Sequence, residues 1–252
     1  MKVGNRVRTE IALPGIPAGR RGVITEVGRL FLVVAFEDGR HGYYARRQLT
    51  LDALAPGSEE CSTGELIPVG VADARVPRGS HLCLLPSNGN VSVNVIARYA
   101  AAGLSCRESV LCILPDELQR RFLRTLSLLQ VEGESALRRG LLTIVSPSEV
   151  YQPPASFVAR DQLERTATAV SRALDNSPGG LRCFGCVGET HIADGWWEYE
   201  ERIAPILRAF GATALCVYEQ DGLTADVEQK ATLFHTHVLR DGRLTLGGSR
   251  IL

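Results

Sequence analysis

Apolar residues along this chain fall into two regimes. Over the first 50 residues they come in short runs broken by glycine or charge. These are Val3-Gly-Asn-Arg-Val-Arg-Thr, then Gly19-Arg-Arg-Gly-Val-Ile-Thr-Glu-Val after a Pro/Gly-rich loop, and Arg29-Leu-Phe-Leu-Val-Val-Ala-Phe before the turn Glu37-Asp-Gly-Arg. His41-Gly-Tyr-Tyr-Ala and Arg46-Arg-Gln-Leu follow. Short strands with glycine turns predict a small all-β barrel over residues 1–50. Residues 51–78 show no steady period, and Ala55-Pro-Gly-Ser-Glu-Glu-Cys-Ser-Thr-Gly is turn-forming and acidic. The stretch reads as a linker, with Leu66-Ile-Pro-Val-Gly placed to pack as an edge.

From residue 79 to 252 buried runs of strand length alternate with helical spacing. His81–Leu85 is an apolar strand followed by a helix, Val91–Ala102, that Gly103 should stop. Ser109–Leu114 is a second strand, and Asp116 a candidate N-cap for the helix Glu117–Gln130. In that helix Leu118, Phe122, Leu126 and Leu129 recur at helical spacing. Gly140–Val145, Leu181–Val187 and Thr213–Tyr218 are further strands. Helices are predicted over Ser156–Asn176, over Trp196–Phe210, where Pro205 should kink or split the helix, and along the stripe Leu223, Val227, Ala231, Phe234. The alternation predicts an α/β domain with a mostly parallel sheet and helices on both faces. Ligands of such sheets bind beyond the carboxyl ends of the strands.

The loop after the first of these strands is where a nucleotide phosphate would sit. A phosphate loop needs paired glycines, a lysine for the phosphates and a Ser or Thr for Mg²⁺. Pro86-Ser-Asn-Gly-Asn-Val-Ser92 has one glycine and no lysine. The architecture of a nucleotide-hydrolysing domain without its machinery predicts sensing or binding, with no ATP hydrolysis and no need for Mg²⁺.

Composition divides the molecule further. The chain of 252 residues is 45% hydrophobic and 22% charged, enough to bury a core without staples. Its net charge is zero, yet residues 1–50 hold nine Lys/Arg against four Asp/Glu, which leaves the remainder acidic. Two modules with different partners would explain the asymmetry. No apolar run approaches the roughly 18–20 residues of a membrane span. The start, Met1-Lys-Val-Gly-Asn-Arg, lacks the apolar core of a signal peptide. Seven cysteines, an odd number, lie mostly in apolar runs and read as reduced thiols. Together these predict a cytoplasmic protein with no membrane partner.

Taken in order, Gly79-Ser-His-Leu-Cys, Ala102-Gly-Leu, Ser109-Val-Leu-Cys, Gly140-Leu-Leu-Thr-Ile-Val, Tyr151, Gly180-Leu-Arg, Gly188-Glu-Thr, Tyr199-Glu, Leu215-Cys-Val-Tyr and Thr236-His resemble the MEDS domain. That sensory domain is named for methanogens, methylotrophs and the dichloromethane-dehalogenase repressor. The resemblance covers about residues 79–245. It implies a degenerate RecA/KaiC-like fold without a working phosphate loop, and a sensor or regulator that binds a small molecule or a signalling protein. The first 50 residues are similar to SH3-like or KOW-type small barrels. Family members often carry a Met-Trp pair after the Gly-Glu; here Thr190-His191 follows, and Trp196-Trp197 comes later.

The candidate ligand-binding residues are His81, Cys83, Asn88, Glu189, Trp196, Glu200, Tyr218 and His237. His81 and Cys83 share one strand face, where they either bind a metal or touch a ligand, or serve as a locally bonded His and a small buried thiol. Glu189 ends a strand on the binding edge, as ligand contact or structural hydrogen bond. Trp196, Trp197, Tyr199 and Glu200 either wall a pocket, pack a helix on the sheet or meet a second subunit. His235 and His237 flank Thr236 at the end of the last helix as a possible metal pair that would need a third ligand such as His81 or His191, but helical geometry would splay their rings; His237 is the stronger functional choice. Cys183-Phe-Gly-Cys186 has CxxC spacing but lies in a strand, so its thiols point to opposite faces. In the barrel Arg20, Arg21, Arg46 and Arg47 interleave with Tyr43 and Tyr44, a surface suited to nucleic acid or to an acidic protein partner. No catalytic residue, metal ligand or cofactor is expected. A homodimer and a nucleotide-binding module without hydrolysis are the alternative readings.

Overall fold

The structure is a computed structural model. It describes the chain except residues 2–5, 13–15, 29–30, 37–39, 46–47, 52–64, 72, 87–92, 175–178, 189–191, 193–194, 220–222 and 249–252. The amino-terminal unit holds β1 (Arg6–Thr9), β2 (Arg21–Val27), β3 (Phe31–Ala35), β4 (His41–Ala45) and β5 (Leu49–Leu51). They pair antiparallel in the order β4-β3-β2-β1-β5, as the alternating runs predicted for an SH3-like barrel. Strand β3 is buried on both sides. Leu32 and Val34 enter the barrel's own core with Val7, Ile24, Tyr44 and Leu49, while Phe31 and Val33 join Ala45 in the core of the α/β unit. Successive side chains on a strand point to opposite faces, so one five-residue strand serves two cores.

Residues 66–77, part of the stretch read as linker, form a hairpin of β6 (Leu66–Pro68) and β7 (Arg75–Pro77). Its Ile67, Val69 and Val76 are buried with the first helix of the α/β unit. That unit runs β8 (His81–Leu84), α1 (Val93–Ser105), β9 (Ser109–Ile113), α2 (Asp116–Leu128), α3 (Gly133–Arg138), β10 (Leu142–Val145), α4 (Pro147–Val150) and α5 (Ala159–Leu174). It continues through β11 (Leu181–Val187), α6 (Trp196–Ala209), β12 (Ala212–Tyr218), α7 (Ala225–Phe234), β13 (His237–Arg240) and β14 (Arg243–Leu246). The seven strands lie in the order β10-β9-β11-β12-β8-β13-β14, with β14 antiparallel and the rest parallel. This is a mostly parallel α/β sheet with helices on both faces. Leu82, Leu84, Val110, Phe184 and Leu215 face α1 and α2; Cys83, Leu111, Cys183, Ala214 and Tyr218 face α5, α6 and α7.

Four local expectations change. Helix α1 runs past Gly103 to Ser105, because the glycine makes room: a Cβ there would lie 2.9 Å from the Arg182 Nε behind the helix. Pro115, not Asp116, caps α2, and Asp116 joins Glu117 in the first turn, where negative charge favours the helix dipole. Pro205 does not split α6. The ring removes one backbone donor, but Ile203, Ala204, Ile206 and Leu207 are buried around it and hold the helix to the sheet. His237 opens a strand instead of ending a helix, since α7 stops at Phe234 and the chain turns extended at His235.

Candidate functional site

Four side chains from four separate elements meet under the sheet, on the α6 and α7 face. His81 opens β8, Cys216 lies on β12, Glu200 projects from α6 and His235 sits at the junction of α7 and β13. Parallel pairing sets the first two side by side: Ala214 is opposite His81 and Cys216 opposite Cys83, so His81, Cys83 and Cys216 share a face. Helix α6 opens at Gly195, whose positive φ turns the chain into the helix, and its buried stripe Trp196, Tyr199, Glu200, Ile203 and Leu207 follows helical spacing. Glu200 thus occupies a position where a hydrophobe would be expected. Thr236 fixes the opposite wall, since its backbone N–H and its hydroxyl both donate to the His81 carbonyl, at 2.7 and 2.8 Å.

The ligand atoms of the four all lie within 4.8 Å of one another. His81 Nε2 is 3.2 Å from Cys216 Sγ and 3.3 Å from Glu200 Oε2, and His235 Nε2 is 3.5 Å from the same carboxylate oxygen. The imidazole rings are 4.0 Å apart. His81 is 1% exposed, and Glu200 and His235 are sealed from solvent. The Tyr218 hydroxyl donates to Glu200 Oε1 at 3.2 Å. His235 Nδ1 lies 2.7 Å from the Ala231 carbonyl. A carbonyl only accepts, so Nδ1 carries the hydrogen and Nε2 presents a lone pair to the cluster. His235 Nε2, Glu200 Oε2 and His81 Nδ1 have no hydrogen-bond partner.

Burial dominates the protonation of these groups. It pushes the Glu200 carboxyl up to about 8, against the pull of Tyr218 and Trp196. It holds His235 down at about 4 and His81 well below the usual imidazole range, where the neighbouring His235 and Arg208 act in the same direction. The Cys216 thiol is driven up by burial and then by Glu200. At neutral pH both imidazoles are neutral and the thiol keeps its proton.

A family model for the methanogen/methylotroph, DcmR sensory domain matches residues 80–237, which include all four residues of the cluster. The chain belongs to the MEDS family. No curated protein matches the chain significantly. Among solved structures, it is similar to a KaiC-like protein from the hyperthermophilic archaeon Pyrococcus horikoshii OT3, at 15% identity and a TM-score of 0.49, over 70% of this chain and 80% of that one.

Within the MEDS domain the structure gathers only part of the expected site. His81 and Glu200 are in the cluster, and Tyr218 is bonded to it. Cys83 lies one position along β8 on the same face, with its thiol turned to the Ala231 carbonyl at 3.8 Å. Trp196 packs against Tyr151, Phe157 and Tyr199, the packing alternative for that aromatic group. His237 does not join: its Nδ1 meets the Thr236 hydroxyl at 2.9 Å, and as the neighbour of Val238 it faces the other side of the sheet. His235, the less favoured of the pair, takes the place instead. Cys216 entered the sequence reading only as a core thiol. Asn88 and Glu189 lie outside the described residues, as do Arg46 and Arg47. In the barrel Tyr44 is fully buried and leaves the proposed basic and aromatic surface, because its ring fills the barrel core. Tyr43 is half-buried, packs against Phe31 and lies beside Arg202 of α6. Arg20 lies over the Phe36 ring at 5.2 Å, and Arg21 is exposed. No helix among the described residues is long and apolar enough to cross a membrane.

Proposed function

We propose that the chain is a non-catalytic cytoplasmic signal-transduction protein in which the MEDS domain senses a small ligand or a signalling partner and the barrel carries the response to transcription or another output. Residues 1–50 and 79–252 act as the two modules of this reading. One observation supports it above the others: α6 serves both. Its inward face delivers Glu200 to the buried cluster, and its Arg202 lies beside Tyr43 on β4 of the barrel. Phe31, Val33 and Ala45 of the barrel share a continuous apolar core with Trp196, Tyr199 and Ile203 of that helix. A ligand that favours one placement of α6 therefore favours one placement of the barrel, a population shift carried by a rigid element. The loop Pro86–Ser92 has no lysine for a phosphate, so phosphoryl transfer is not part of the mechanism.

The test needs no knowledge of the ligand. Glu200→Gln in the full chain should change amide hydrogen exchange in β4, more than 150 positions earlier in the sequence, as well as in α6. A change confined to the α/β unit would overturn the coupling. Steady-state assays with Mg-ATP should show no turnover; turnover lost on changing Glu189 would overturn the non-catalytic reading.

A further inference from the structure

We propose that His81, Glu200, Cys216 and His235 form a binding site for one zinc ion. The donor set is two imidazole nitrogens, a thiol sulfur and a carboxylate oxygen, the mixture of borderline ligands that suits Zn²⁺. Tetrahedral zinc with ordinary bond lengths sets its donors about 3.3–3.6 Å apart. The separations of 3.2, 3.3 and 3.5 Å already have that size, and the remaining donor pairs lie within 4.8 Å.

The polar bookkeeping of the site points the same way. His235 Nε2 is a buried acceptor aimed at a carboxylate oxygen that also lacks a partner. A proton on Glu200 can serve only one of the two imidazoles that face it, and the other polar contact in the cluster is the Cys216 thiol on His81 Nε2 at 3.2 Å. Buried polar groups left unmatched are costly, and native structures keep few of them. A central dication satisfies all four donors at once. The second shell fits as well. The His235 Nδ1–H on the Ala231 carbonyl fixes the tautomer and aims Nε2 inward, which is how metal-bound histidines are usually held. Tyr218 plays the corresponding part for the carboxylate, bonding Oε1 and leaving Oε2 to the centre.

Four protein donors close the tetrahedron and leave no open position, so the ion would act as a tie and not as a generator of a nucleophile. It would pin α6, β8, β12 and the α7–β13 junction together. Zinc binding here does not depend on the signalling role, because occupancy is read directly.

The experiment is elemental analysis of the purified full chain, followed by removal of metal under unfolding conditions and refolding with Zn²⁺ or Co²⁺. About one zinc per chain is expected. The Co²⁺ form should show the intense visible bands of a tetrahedral site and a near-ultraviolet thiolate-to-cobalt band. Cys216→Ser should abolish the near-ultraviolet band, and His237→Gln should leave stoichiometry and spectrum unchanged. If the variants do not fold, the wild-type content and spectrum decide alone. Refolded wild-type chain that binds neither ion, or a cobalt form without a thiolate band, would overturn the site.

Discussion

Two largely buried polar clusters lie on opposite faces of the same sheet, and they are built differently. On the α1 face Glu108 receives Arg182 Nε at 2.8 Å on one oxygen and Arg78 at 2.8 Å on the other. Arg182 also donates to the carbonyls of Pro68 and Tyr99 and lies over the Tyr99 ring at 4.8 Å. Both carboxylate oxygens are taken, and every charge faces its opposite. On the α6 face a carboxyl, two imidazoles and a thiol converge with no cation among them, and two of their inward atoms are orphaned. The first cluster balances its charges with the chain's own residues and leaves only Arg182 Nη2 without a partner. The second turns four donor atoms on one another without a counter-charge. Glu108 and Glu200 are both sealed from solvent, so charge pairing, not burial, separates the two clusters.

Perturbing each cluster in turn sharpens that contrast. The largest effect belongs to the closed network. Glu108→Ala leaves Arg182 buried without a counter-charge and should cost roughly 3–5 kcal/mol, read as a lower denaturant midpoint and insensitive to zinc. Next is zinc itself: at about 100 times its dissociation constant it should stabilise the wild-type chain by about 2.7 kcal/mol. That corresponds to a rise of roughly 5–10 °C in thermal midpoint, which Glu200→Gln should lose. In the metal-stripped protein Glu200→Gln should matter far less, within about 1 kcal/mol, because it exchanges one neutral hydrogen-bonding group for another. Smallest is Arg202→Ala at the barrel contact. It should cost less than about 1 kcal/mol of global stability yet increase exchange at the β4 amides, since it removes a partly exposed tie and leaves the apolar contact in place.

Much of this architecture is visible in the amino-acid order. Leu181–Val187, apolar but for Arg182 and Gly185, reads as a strand and is strand β11 over the same residues. The barrel strands follow from glycine-punctuated runs, and the lysine a phosphate loop would need is absent from residues 86–92. Strands β13 and β14 were hidden because His235-Thr-His-Val-Leu-Arg follows a helical stripe without a glycine or proline to end it. The hairpin at 66–77 was hidden because its strands are three residues long and only the packing of Ile67 and Val76 gives them a face. Half of the cluster was legible: His81 stands out on an apolar strand and Glu200 on an aromatic helix. Cys216 looked like any core thiol, because its meeting with His81 depends on the register of two strands 135 positions apart. His235 was set aside because a helical reading of Thr236 and its neighbours splays the rings; the extended turn at His235 removes that objection.

The account rests on α6 tying the buried cluster to the barrel. The most direct measurement is hydrogen–deuterium exchange of the full chain, zinc-loaded against metal-stripped and refolded. The account predicts slower exchange in the zinc form across both α6 (Trp196–Ala209) and β4 (His41–Ala45). Stoichiometric zinc with unchanged exchange in β4 would contradict it.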